Sequence, residues 1–250
     1  MASGTLSKFC LKHYRAYHVN DKRKRGCQPK LSDVLRLAFN AKRVKSLADD
    51  WNNVNMQMDP LVKRVARDLL TFRNKRSPSE YIIIKDVIGP INHSVFSFDG
   101  DAEVISFAGT PSSTSRSQRV ITNGQDIIGP ILKAMMIVFP GCSNVAVKLL
   151  ESSPGDKAQE THTDYDYNAL NKRVRSLKAF HYSALVAFEP GSVLLMGTRR
   201  EVVKIPLNAM IFWRGNCPHA GGAYKTKNRR IFVSISSSLC PLTSAVYIVK

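Results

Sequence analysis

From Tyr81 to Val249 the chain is a succession of short runs rich in Ile, Val, Phe and Tyr, each cut off within a few residues by Gly, Pro, Asn, Asp or Ser. β-branched and aromatic residues between turn formers predict strands, and the shortness of the runs excludes both a coiled coil and a membrane helix, which needs roughly 18 apolar residues in a row. The runs Tyr81–Ile84, Val95–Phe98 and Val104–Phe107 come first. Ile127–Val138, with Pro130 in its first turn, is spaced as a helix. Strands then follow at Val145–Leu150, His162–Tyr167, Phe180–Phe188, Val193–Met196, Val202–Ile205, Ala209–Trp213, Arg230–Ser236 and Val246–Val249. This order predicts a mainly β domain with N-terminal helices, arranged as a double-sheet jelly roll of the double-stranded β-helix (cupin-like) type; an immunoglobulin-like sandwich fits the same pattern.

Upstream, Ser32 is placed to cap a helix reaching Ala48, and Asp59-Pro60 opens another. The second helix is expected to turn Leu61, Val65, Leu69 and Leu70 inward and Lys63, Arg64, Arg67 and Arg73 outward. The expected organisation is a basic arm over 1–30, a helical lead-in over 31–80 packed on the core, and the β core over 81–250. A 44% share of hydrophobic residues suffices for that core.

The formal charge is +18, of which +11 falls within the first 80 residues. Such an excess attracts polyanions, nucleic acid among them, without specifying one. Lys22, Arg23, Lys24 and Arg25 form the densest cluster, suited to a phosphate-contacting arm, a nuclear address or a solvated loop. Cys10, His13, His18 and Cys27 supply thiolates and imidazoles near one another, a zinc-like set whose spacing matches no standard finger closely. The five cysteines contain no CxxC, and the N-terminus carries no apolar signal segment, so an intracellular protein, cytoplasmic or nuclear, is expected, without membrane association.

The chemically informative stretch is Ser153-Pro-Gly-Asp-Lys-Ala-Gln-Glu-Thr-His162-Thr-Asp164. Side chains at i and i+2 of a strand share a face, so His162 and Asp164 would supply two legs of a facial metal triad. A further His from a distant strand completes it. His219 is the candidate, in a turn expected to close the strand Ala209–Trp213. Arg230, at the head of the next strand, is placed to fork-bind a carboxylate, with Arg229 its competitor. His93 and His181 read as exposed or structural histidines.

Taken together, Pro-Gly and Gln159 before HxD, the strand-ending Pro-His-Ala-Gly-Gly and the Arg-Arg pair opening the last hydrophobic strand resemble the Fe(II)/2-oxoglutarate-dependent dioxygenases, whose double-stranded β-helix carries HxD…H…R/K. Within them the chain looks most like phytanoyl-CoA and prolyl-hydroxylase-type members, over roughly residues 144–236. The resemblance implies His162, Asp164 and His219 as Fe(II) ligands and catalytic centre, and Arg230 (alternative Arg229) as the partner of the 2-oxoglutarate C5 carboxylate. Asp166 competes with Asp164, but HxD is the family spacing. Position 232 is Phe, so the RxS pattern of some relatives is absent. The resemblance further implies O₂ and 2-oxoglutarate as cosubstrates and hydroxylation or oxidative demethylation as the reaction. The loops Gly109–Gln118 and Tyr165–Lys178 would border the mouth, where Lys172, Arg173, Arg175 and Lys178 favour an anionic substrate such as a nucleic acid or a nucleic-acid-associated protein. The competing expectation is a non-catalytic basic jelly-roll module that binds polyanions.

Overall fold

The computed structural model describes residues 59–74, 81–105, 116–139, 141–165, 180–238, 240 and 247–249. All but Asp59 belong to one compact unit, Pro60–Lys250. The helix expected at 32–48, the basic cluster at 22–25, the Cys10/His13/His18/Cys27 set, Asp166 and the cations at 172–178 lie outside the described residues.

Helix α1 (Pro60–Asn74) starts at the proline, whose fixed φ suits a first helical position. Its buried stripe is Val62, Val65, Leu69 and Phe72, while Leu70 is exposed. The expected inward face was therefore rotated: a step of three or four residues from Val65 leads to Val62, Leu69 and Phe72, not to Leu70. Two expected outward cations are also recruited. Arg73 donates to the Val138 carbonyl, and Arg64 donates to the carbonyls of Lys85 and Asp86 at 2.6 and 2.5 Å. Helix α2 (Gly124–Val138) begins three residues earlier than expected and kinks at Ile128. Pro130 explains the kink, since it has no N–H for the Asp126 carbonyl and its ring crowds that turn.

Among the described residues, twelve strands form two antiparallel sheets. The strands are β1 (Tyr81–Ile84), β2 (Phe98–Val104), β3 (Ser117–Ile121), β4 (Cys142–Ser152), β5 (His162–Thr163), β6 (His181–Val186), β7 (Val193–Met196), β8 (Glu201–Lys204), β9 (Met210–Arg214), β10 (His219–Gly221), β11 (Asn228–Ser237) and β12 (Tyr247–Ile248). The larger sheet runs β1-β9-β6-β11-β4-β3-β2 and the smaller β12-β5-β10-β7-β8. This is a jelly-roll arrangement, with consecutive strands after β4 repeatedly switching sheets.

The strands differ from expectation where the apolar signal is weak. The runs Val95–Phe98 and Val104–Phe107 were expected as two strands; instead Val95 closes a short 3₁₀ turn and one polar strand, β2, spans Phe98–Val104. Ser117 and Gln118, expected in a mouth loop, belong to β3. The strand expected over His162–Tyr167 ends at Thr163, and His219 opens a strand instead of sitting in a turn.

Register decides which residues look inward. On β11, Ile231, Val233 and Ile235 share one face, level with Leu149, Val147 and Val145 of β4. That face meets the helices: Phe212 packs edge-on against Phe72 at 5.6 Å and stacks on Phe139 at 5.7 Å. The opposite face carries Arg230, Phe232 and Ser234, level with Leu150 of β4 and with Leu185 and Ser183 of β6. It looks toward the smaller sheet, where Leu185, Ile211 and Trp213 pack with Leu194, Met196 and Val203. One face of the large sheet is thus apolar at its centre, and the other mixes apolar and polar groups in the space between the sheets.

Candidate metal and anion site

His162 and His219 face each other directly across the β5–β10 pairing. Their rings are 4.4 Å apart, and Asp164 follows in the bend after β5 with its Oδ2 3.6 Å from His219 Nε2. One ligand atom from each of the three lies within 4.8 Å of the others. Both histidines are oriented alike. Nδ1 of His162 is 2.8 Å from the Glu160 carbonyl and Nδ1 of His219 is 3.0 Å from the Cys217 carbonyl. A carbonyl only accepts, so each Nδ1 carries the proton and each Nε2 presents a lone pair. Asp164 is held in turn by the Ser183 hydroxyl, which donates to Oδ2 at 2.6 Å.

The electrostatics keep this donor set ready for a cation. Burial, reinforced by His219, holds the His162 imidazole well below its ordinary value and therefore neutral. Burial alone would raise the Asp164 carboxyl, but His219, His162 and the Ser183 hydrogen bond outweigh it, so the group is held below the usual carboxylate range. Two imidazoles presenting Nε2 and one carboxylate are a donor set that suits Fe(II). The Trp213 ring lies 4.9 Å from His219, and its buried Nε1–H has no hydrogen-bond partner among the described residues.

The segment before HxD supports β10. Gly155, at φ +85°, makes the turn, and Asp156 accepts from Ser153 N at 2.7 Å. Gln159 then clamps Gly221 twice: its Oε1 accepts from Gly221 N at 2.8 Å, and its own N–H donates to the Gly221 carbonyl at 2.9 Å. Arg200 ties the same segment down through Thr161 Oγ1 and the Gln159 carbonyl.

The two neighbouring arginines of β11 part company. Arg229 points outward and is engaged by Glu189, its Nε 2.7 Å from Oε1. Arg230 is buried on the inner face. It donates through Nη2 to Ser152 Oγ at 3.0 Å and through Nη1 to the Asn228 carbonyl at 3.2 Å, while its Nε has no hydrogen-bond partner among the described residues.

Arg116, just before β3, escaped sequence reasoning. It falls in the stretch Gly109–Gln118 expected to border the mouth as a loop, yet its side chain is completely buried. A Ser- and Thr-rich flank disguised it, and no local pattern reveals a burial whose partners, Lys157 and Gly222, are 41 and 106 residues away. Ser183, Asn228 and Tyr224 escaped for the same reason. His181 is buried, 3.0 Å from Ser234 Oγ, and His93 is exposed in the 3₁₀ turn.

No family model and no curated protein matches the chain. Solved structures do. A prolyl hydroxylase from Trichoplax adhaerens, in complex with a hypoxia inducible factor oxygen degradation domain peptide fragment, aligns at 12% identity over 70% of this chain and 90% of its own, with a TM-score of 0.48. A Pseudomonas putida prolyl-4-hydroxylase aligns at 11% identity over 70% and 98% of the two chains, with a TM-score of 0.44. The viral collagen prolyl hydroxylase of Paramecium Bursaria Chlorella virus-1, in its 2-oxoglutarate complex, aligns at 15% identity over 64% and 96%, with a TM-score of 0.41. No described helix is long and apolar enough to cross a membrane.

Proposed function

We propose that the protein is a non-haem Fe(II)- and 2-oxoglutarate-dependent dioxygenase, with His162, Asp164 and His219 holding the metal and Arg230 the C5 carboxylate of the cosubstrate. The observation that carries this reading is the convergence of two Nε2 lone pairs and one carboxylate between the sheets, each fixed by its own hydrogen bond. Arg230 supports the cosubstrate half, because a buried guanidinium with an unsatisfied Nε calls for an anion. Arg229 is engaged by Glu189 on the other face, which favours Arg230.

When bound, Fe(II) and 2-oxoglutarate supply the reduction of O₂ that places one oxygen atom in a substrate C–H bond, the cosubstrate being decarboxylated to succinate. The chain's residues bind and orient. The Glu160 and Cys217 carbonyls fix the tautomers, Ser183 fixes the carboxylate, and Ser152 and Asn228 aim the Arg230 fork. Trp213, buried in the core cluster with Leu185 and Ile211, packs against His219 and shields that side of it from water. The net charge of +18 supports an anionic substrate, and nucleic acid is the polyanion we propose to test first.

Under anaerobic conditions, Fe(II) with 2-oxoglutarate should give a weak visible charge-transfer band that His162→Ala abolishes. Folded wild-type protein without the band would refute the oxygenase and favour a polyanion-binding module. Succinate formation should rise with DNA or RNA at low salt; stimulation by peptide or acyl-CoA pools alone would overturn the nucleic-acid assignment.

A further inference from the structure

Between the sheets lie two buried guanidiniums where the proposed cosubstrate reading requires one. Arg230 and Arg116 both rest against the ring of Tyr224, with guanidinium carbons 4.8 and 5.4 Å from its centroid. Arg116 is tethered through Nη2, which donates to the carbonyls of Lys157 at 2.7 Å and Gly222 at 2.5 Å. Its Nε and Nη1 have no hydrogen-bond partner among the described residues. The carboxylate that faces it is Asp156, 4.0 Å from Nε and itself buried. Among the described residues, two buried guanidiniums against one carboxylate leave an excess positive charge, a costly arrangement unless an anion completes it.

Arg116 also lies on the side of the metal ligands. Gly221 is two residues beyond His219 on the same strand, so a side chain there would point the same way as the imidazole. A Cβ at Gly221 would collide with Arg116 Nη1 and Gln159 Oε1. The guanidinium thus occupies the space beside the metal centre that a glycine leaves open. Burial, reinforced by the nearby Arg230 cation, lowers Arg116 to about 10.

We infer that Arg116 and Arg230 form a two-guanidinium clamp for the anionic cosubstrate, with Arg116 supplying the second anchor for which position 232, a Phe, offers no hydroxyl. Tyr224 is the spacer of the clamp: its hydroxyl is fixed to the Val193 backbone, donating to the carbonyl at 3.1 Å and accepting from the N–H at 3.2 Å. Asp156 is a counter-charge that tempers the affinity. The inference rests on the oxygenase reading but concerns the anion pocket, so it is tested without metal or turnover.

The experiment is calorimetric titration of metal-free protein with 2-oxoglutarate and with succinate, alongside the thermal shift each produces. Arg116→Gln should weaken binding of either dicarboxylate roughly tenfold to a hundredfold, the loss expected for a charge-assisted hydrogen-bonding partner. Arg116→Lys, which keeps the charge without the fork, should recover part of that loss. Asp156→Asn keeps an acceptor for Ser153 and removes the opposing charge, so it should tighten binding; a merely structural ion pair predicts no gain. If Arg230→Gln abolishes binding while Arg116→Gln and Asp156→Asn bind like wild type, the clamp is refuted and the oxygenase reading stands. If Arg116→Gln does not fold, unchanged or weakened affinity in Asp156→Asn refutes the clamp by itself. Failure of metal-loaded wild type to bind either dicarboxylate overturns the oxygenase reading and the clamp with it.

Discussion

Ser183 stands behind the proposed metal ligand Asp164, and its hydroxyl is the group whose removal should report most directly on how the triad is held. The Oγ–Oδ2 distance is 2.6 Å, Ser183 is fully buried, and the acceptor is a carboxylate held in its ionised form. A buried hydrogen bond to a charged group contributes about 1.5–3 kcal/mol. In Ser183→Ala the carboxylate loses that restraint and is drawn toward His219, whose Nε2 is 3.6 Å away. A metal would then have to break a His–Asp pair before binding. We expect affinity for Mn(II) or Co(II), measured anaerobically by calorimetry, to fall by roughly ten- to a hundredfold. Ser234→Ala is the control, because Ser234 sits level with Ser183 on the same face but contacts His181 instead of Asp164. It should leave metal affinity unchanged. Equal losses in the two variants, or wild-type affinity in Ser183→Ala, would refute the claim that this one hydroxyl positions the ligand.

Three further outcomes follow from packing and protonation. Gly215→Ala would drive a Cβ into the His181 ring, which is buried and stacked on Tyr165, so urea denaturation should show a loss of about 1–3 kcal/mol; a loss under half that lower bound would mean the ring has room to move. Phe72→Ala removes the edge-on partner of Phe212 and should cost about 3–5 kcal/mol by the same measurement, whereas near-neutrality would mean that α1 contributes little to the unit. The metal-free protein should lose stability on acidification. Burial lowers His162 and His181 from 6.5, so the unfolded chain takes up protons near that value while the folded one does not; stability present above pH 6.5 is lost as the pH falls, by up to about 1.4 kcal/mol per pH unit for each group. Urea midpoints at pH 7.5 and 5.5 should diverge in wild type and diverge less in His181→Gln, and equal divergence would remove His181 from the account.

Much of this arrangement is written locally. Strand alternation alone says that only one of Arg229 and Arg230 can look inward, and the β11 register puts Arg230 there. HxD is legible because His162 and Asp164 are neighbours, although the strand carrying them is only His162–Thr163 and Asp164 sits in the bend beyond it. What was hidden is non-local. The strand β2, FDGDAEV, is exposed along nearly its whole length at the edge of the large sheet, so nothing forces an alternation onto its sequence. β10 is three residues long, too short for periodicity, and is specified by pairing with β5 and β7 and by the Gln159 clamp. Arg116 is an extreme case, since an arginine in a polar stretch reads as surface until its distant carbonyl partners are known.

The two faces of the large sheet make the same point energetically. Its helix-side face is apolar at its centre, where Val233, Ala184 and Phe212 sit level, and burying a side chain of the size of Ile or Val there is worth about 1.5–3 kcal/mol. The inner face instead buries Ser183, Ser234, Arg230 and, against it, Arg116 and Asp156. Burial of an unsatisfied polar group costs about 1–3 kcal/mol, and more for a charge. Packing against α1 and α2 offsets that cost, so the polar interior is sustained from the opposite side of the same strands. Replacing Arg116 and Arg230 together by Met should therefore raise the unfolding midpoint while abolishing dicarboxylate binding, because well-packed apolar residues often match or exceed the stability of buried charges. A double variant that unfolds at lower urea than wild type would show that the arginines hold the barrel together, and the case for their being kept for an anion would fall.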